Sequence, residues 1–150
     1  MNEDWIEILA GPLSVAAAVE FASDPRAGGI DVFLGTTRAE KSADGRELVA
    51  LDYEAYEDMA IAKLKQLARR AREQWPIVKL AILHRTGRVG LAEPSVIIAV
   101  SCPHRGESFA ACKFLIDQLK VDVPIWKKEI WEDGSGTWVE GKEARRHEGT

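Results

Sequence analysis

Four side chains able to bind an anion or move a proton fall within one short stretch, SVIIAVSCPHRGESFAACKFLIDQLKVDVPIWKKE, from Ser95 to Glu129. His104 and Arg105 follow a β-type run and precede a helical one, where free backbone N–H groups and the positive end of the helix dipole already favour an anion. The Arg105 guanidinium adds a planar fork suited to phosphate. Lys120 and Lys127 lie on either side of the Val121 to Pro124 turn, so both ammonium groups could reach one cavity. Two cations at close range depress each other's pKa, and a lysine tuned in that way can act as general acid or base or hold a developing negative charge. Plainer readings stand beside these: a helix cap or surface role for His104 and Arg105, and a solubilising role for the lysines. Lys113, Asp117 and Lys120 share a helix face and could form only a surface ion-pair stripe. Lys128 should point to the opposite side of its strand from Lys127.

The elements that must position these groups follow from periodicity. Trp5 to Leu9 reads as a strand, and the Ala-rich Leu13 to Ala22 as a helix. Ile30 to Gly35 and Leu48 to Tyr53 read as a hairpin joined by a long, mobile loop, Thr36 to Glu47. Met59, Leu64, Leu67, Ala71 and Trp75 recur at helical spacing up to Pro76, predicting the longest helix of the chain. Ile77 to Leu83 and Ser95 to Val100 are apolar strands flanking a turn-rich segment, His84 to Pro94. A helix from about Glu107 to Lys120 stops before Pro124, and Ile125 to Trp131 with Thr137 to Glu140 forms a hairpin across Asp133-Gly134-Ser135-Gly136. With no strict βαβ repeat, the pattern predicts an α+β fold with a largely antiparallel, mixed sheet and three main helices. The tail from Ala144 to Thr150 is charged and expected to fray.

Composition narrows the function. At 150 residues, with 46% apolar and 29% charged residues, the chain suits one soluble domain with a single core. Its apolar runs are far shorter than a membrane span and it begins with no signal-like segment, so a cytoplasmic protein is expected. The net charge of -4 argues against a general nucleic-acid binder. The basic run Arg69, Arg70 and Arg72 closes a helix opened by Glu54, Glu57 and Asp58, the order that complements a helix dipole, and reads as a solvated helix end. Cys102 and Cys112 read as buried free thiols, being too few for a disulfide framework and wrongly spaced for a metal. There is no Gly-x-Ser-x-Gly elbow, no phosphate loop and no histidine pair at metal spacing; His84, His104 and His147 are scattered. The residues by themselves define an α+β protein with an anion site.

The run from His84 to Gly141, HRTGRVGLAEPSVIIAVSCPHRGESFAACKFLIDQLKVDVPIWKKEIWEDGSGTWVEG, resembles the large, catalytic subunit of molybdopterin synthase, as do GGIDVFLGTTR and LDYEAYEDMA before it. The resemblance covers nearly the whole chain, and PHR, LK and PIWKKE at these separations carry it. It implies an α/β-hammerhead-like fold with a small β subdomain and a sulfurtransferase that converts cyclic pyranopterin monophosphate to molybdopterin without a cofactor. It also implies a small ubiquitin-like partner whose C-terminal Gly-Gly thiocarboxylate delivers the sulfur, which would remove any need for a nucleophile in this chain. By the same resemblance Lys120 and Lys127 are active-site lysines, and Arg38, His104 and Arg105 bind the substrate anion. Phe33 walls the pocket, and Lys142 replaces an arginine, keeping the charge but losing the fork. Two rivals remain open: a phosphoester hydrolase using His104 and Arg105, and a non-catalytic binder of a ubiquitin-like tail or an RNA end.

Helix length adds a constraint. If Arg105 to Lys120 is one helix, fifteen steps of about 1.5 Å separate its ends by roughly 22 Å. One pterin would not span them within a protomer. The expectation is a symmetric homodimer, itself flanked by two small subunits in a heterotetramer, in which His104 and Arg105 of one chain complete the pocket around Lys120 and Lys127 of the other.

Overall fold

The computed structural model describes residues 3–139. Their order is β1 (Asp4–Leu9), α1 (Val15–Ala22), β2 (Gly29–Thr36), β3 (Leu48–Ala55), α2 (Glu57–Gln74), β4 (Lys79–Arg85), β5 (Gly87–Gly90), β6 (Pro94–Cys102), α3 (Arg105–Asp122), β7 (Ile125–Trp131) and β8 (Gly136–Trp138). The class is the expected α+β, with three helices and sheets rich in antiparallel pairs. Lys142 and the tail from Ala144 lie outside the described residues.

One four-stranded sheet has the order β1-β4-β6-β2, in which β1 runs parallel to β4 while β4 and β2 flank β6 antiparallel. Leu80 to Leu83 of β4 and Val96 to Val100 of β6 are continuous apolar runs because both faces of these strands are covered. Residues of one parity, Ala81, Leu83, Ile97 and Ala99, meet Ala18 and Ala22 of α1, whose small side chains allow close approach. Residues of the other parity, Leu80, Ile82, Ile98 and Val100, meet Leu64 and Leu67 of α2 and Ala111 and Leu115 of α3, forming the main core. Ser14 caps α1 through a 3.1 Å bond from the Ala17 amide to its Oγ. Trp75, before Pro76, is extended and ends α2.

The second sheet, β5-β3-β7-β8, is smaller and carries its own cluster of Leu48, Leu51 and Trp131. It contains the expected hairpin of β7 and β8. The expected hairpin of β2 and β3 does not form: β2 pairs with β6 in the first sheet, and β3 with β5 and β7 in the second. The segment between them is a crossing, with its own turn closed by bonds from the Ser42 amide to the Arg46 carbonyl and the Leu48 amide to the Glu40 carbonyl, both 2.8 Å. Asp44-Gly45 does make a tight turn, with Gly45 at φ 88°, but inside this crossing. The turn-rich stretch after His84 likewise holds a strand, β5. α2 is not the longest helix, since α2 and α3 each have 18 residues.

Arg72 also departs from expectation. Its guanidinium bonds Asp4 at 2.7 Å and the Ile77 carbonyl at 2.8 Å, so it ties β1 to the end of α2. Arg70 packs its guanidinium over the Phe114 ring at 5.3 Å and pairs with Asp122 at 3.5 Å, leaving Arg69 as the exposed member of the run.

Candidate functional site

α3 leaves the end of β6 and returns along the sheet, so its two ends lie at opposite ends of that sheet. The start is fixed by Gly29, where a Cβ would sit 2.9 Å from the Cα of Arg105, and by a 2.9 Å bond from the Ser108 hydroxyl to the Gly29 carbonyl. Farther along, the Cys112 thiol reaches the Ile98 carbonyl, and the last turns carry Leu119 and Lys120. The two charged groups of interest are therefore held apart by one rigid rod of about 22 Å.

At the first end, His104 takes the N-cap position with extended backbone, φ -130° and ψ 150°, yet its side chain makes no cap bond. Its imidazole is thus not used to close the helix, and it is exposed together with Arg105. Gly28, Pro103, His104, Arg105, Gly106 and Phe109 line an open cleft of about 610 Å³. Leading N–H groups of α3, an imidazole and a guanidinium suit this cleft to a small anion.

At the other end, exposed Lys120 sits in the last turn of α3 and half-buried Lys127 in β7, directly across from Tyr53 of β3. Lys113 pairs with Asp117 at 2.6 Å, realising the first half of the expected surface stripe. Lys128 faces away, its ammonium 5.1 Å from the centre of the Trp138 ring. Arg38 follows the far end of β2, where Thr36 pairs with Pro94, so it belongs to the lysine end and not beside His104 and Arg105. It is exposed and pairs with Glu40 at 3.0 Å. Phe33, opposite Ile98, is half-buried against the main core between the two ends. Within one protomer Lys120, Lys127 and Arg38 therefore stand on elements at the opposite end of α3 from His104 and Arg105.

His84 is the polar residue at this end that the sequence did not single out. It occupies the end of β4, 4% exposed, with its ring edge-on to Tyr53 at 5.2 Å. Burial, with a smaller push from the nearby Lys127 ammonium, lowers its pKa from 6.5 to about 4, against the opposing bond to the Arg85 carbonyl. The signal available in sequence was parity: Leu80 and Ile82 put His84 on the core face of β4.

Neither cysteine offers a nucleophile. Both thiols are buried, and burial raises the pKa of each, Cys112 the more strongly. Among the described residues no His, Cys, Asp and Glu gather in a metal-binding group, and no helix is long and apolar enough to cross a membrane.

These features define an α+β protein with two separated cationic half-sites and no accessible thiol. Residues 8–122 match the family described as MoaE protein. The molybdopterin synthase catalytic subunit of Nostoc sp. is 45% identical over 91% of this chain and 82% of its own length, and that of Homo sapiens is 42% identical over 95% and 74%. The crystal structure of molybdopterin synthase from Staphylococcus aureus superposes with a TM-score of 0.82 at 38% identity, covering 88% of this chain and 94% of that one. A complex of subunits 1 and 2 of molybdopterin-converting factor from Helicobacter pylori shares the fold, with a TM-score of 0.74 at 20% identity. The chain belongs to the MoaE family of molybdopterin synthase catalytic subunits.

Proposed function

We propose that this enzyme subunit transfers sulfur to cyclic pyranopterin monophosphate, forming molybdopterin in the cytoplasm. The sulfur comes from the C-terminal thiocarboxylate of a small ubiquitin-like partner ending in Gly-Gly. The observation that carries the reading is the pairing of solvent-accessible cationic groups, with Lys127 half-buried among them, with buried, proton-holding thiols. Such a surface binds anions at both ends but lacks an accessible sulfur nucleophile of its own, so the attacking sulfur arrives on another chain. The Helicobacter complex of two converting-factor subunits is consistent with a partner of this kind.

In this reading Lys120 contacts the thiocarboxylate and stabilises charge as sulfur adds, while Lys127 assists proton transfer or holds charge as oxygen leaves. His104 and Arg105 bind the substrate anion, joined by Arg38, with Phe33 as a wall and Lys142 as a further cation. The separation along α3 supports a homodimer in which the His104 and Arg105 end of one chain faces the lysine end of the other, with a small subunit on each side.

The test is to mix the chain with a thiocarboxylated small subunit and cyclic pyranopterin monophosphate and look for dithiolene product by mass. Product with the thiocarboxylate and none with the carboxylate form is expected. Binding of both without product would overturn the sulfurtransferase reading.

A further inference from the structure

Phe109 is a large aromatic side chain on a helix face turned to solvent, where a polar residue would be usual. α3 buries Ser108, Ala111, Cys112 and Leu115, yet Phe109 is 56% exposed. It lies four residues after Arg105 and three after Gly106, so the three share one face of the first turns. That face is one side of the cleft of about 610 Å³ that Gly28, Pro103 and His104 complete, a volume in the range of small-molecule sites.

Gly106 is a second, independent sign of an occupant. Glycine is the poorest helix former after proline, and nothing in the fold asks for it here. Its backbone is helical, without a positive φ, and a Cβ built on it would meet nothing within 4 Å. Gly28, across the same cleft, differs: a Cβ there would strike the Pro103 carbonyl oxygen, so the fold itself requires that glycine. Bare backbone at Gly106 serves something outside the chain, since it lets a ligand atom approach the leading N–H groups of α3.

We propose that Gly106 and Phe109 extend the His104 and Arg105 half-site into a subsite for a planar ring. The substrate's phosphate is seated at the Arg105 guanidinium and the bare first turn, and the pyrimidinone ring of its pterin lies on the face of Phe109. Arg105 and Phe109 are one turn, about 6 Å, apart along α3, within the span of a fused tricyclic phosphate. Phosphate alone needs only the fork and the N–H groups, whereas a planar heterocycle gains further from an aromatic face. Phe109 thus sets a preference for a pterin phosphate over a plain phosphate. The inference rests on this end binding the substrate anion.

The test is equilibrium binding of cyclic pyranopterin monophosphate to the full chain, with inorganic phosphate as a competitor that has no ring. Phe109→Ala is expected to weaken the precursor about ten- to a hundredfold while the inhibition constant of phosphate stays unchanged. Phe109→Tyr keeps the ring and should bind as wild type does, whereas Phe109→Leu, apolar but without a ring, should recover only part of the loss. Precursor affinity unchanged in Phe109→Ala, or fully restored by leucine, would overturn the subsite. Gly106→Ala is expected to raise the denaturant midpoint, because alanine favours the helix, and yet to weaken precursor and phosphate alike by about tenfold. A gain in stability with no loss of binding would remove the role of the bare turn. Sedimentation of each variant distinguishes a ligand from a second copy of the chain: if Phe109→Ala dissociates a dimer that wild type forms while precursor affinity is kept, the ring belongs to a protein contact and the proposal falls. Arg105→Ala checks the underlying reading separately, since unchanged affinity for both precursor and phosphate there would remove anion binding from this end whatever Phe109 shows.

Discussion

The two ends of α3 solve different electrostatic problems with the same few residue types. At the start, His104 and Arg105 stand exposed over an open cleft, so their affinity for an anion comes from charge and backbone N–H groups facing solvent. At the finish, Lys127 is half-buried beside an imidazole held neutral by burial. The first arrangement suits capture, since an exposed guanidinium is charged under all physiological conditions. The second suits chemistry, because partial burial makes a proton's location depend on its neighbours.

Breaking the lysine end should have the largest effect. Lys120→Ala is expected to slow single-turnover product formation by about a hundred- to a thousandfold while leaving precursor affinity nearly intact. Rapid quench with mass detection measures it, and an unchanged rate would remove Lys120 from the chemistry. Mixing Lys120→Ala chains with Arg105→Ala chains then sharpens the contrast. If the halves meet across a dimer, the mixture should recover about a quarter of wild-type activity from inactive parents.

The buried imidazole of His84 gives the finish a pH signature. Because the folded pKa of His84 lies near 4, below the unfolded 6.5, the unfolded chain binds the extra proton first. Its contribution is fully present above pH 6.5 and is lost as pH falls toward 4, by about 3 kcal/mol over the window. Denaturant midpoints measured across that range should fall less steeply in His84→Gln.

Smaller effects belong to the start. Gly29→Ala would press a methyl group against the Arg105 backbone, and a loss of about 1–3 kcal/mol in unfolding free energy is expected from denaturant titration. Arg105→Lys keeps the charge but not the fork, so KM for the pterin should rise about tenfold with kcat retained. A fall in kcat instead would mean that both ends share the chemistry.

How much of this was legible in the sequence depends on how local each cause is. α3 and the β7–β8 hairpin were readable because periodicity, Pro124 and the Asp133-Gly134 turn are written in consecutive residues. The pairing of β2 with β6 was not, because the partner of Phe33 is Ile98, far along the chain, while Leu48 only looked like the nearest strand. Arg72 read as a surface charge for the same reason: Asp4, its partner, lies on the first strand. His104, Arg105, Lys120 and Lys127 were visible by type and spacing, and helix length already set them apart. His84 was hidden, since one histidine in an apolar run announces neither its burial nor the second sheet that covers it.

Because α3 carries a functional group at each end, its length is also a phase. One residue inserted midway would advance the Lys120 end by only about 1.5 Å but rotate it by about 100° relative to Arg105. Lys120 would then point in another direction while every side chain kept its identity. Along this rod, angular register constrains the enzyme more tightly than distance.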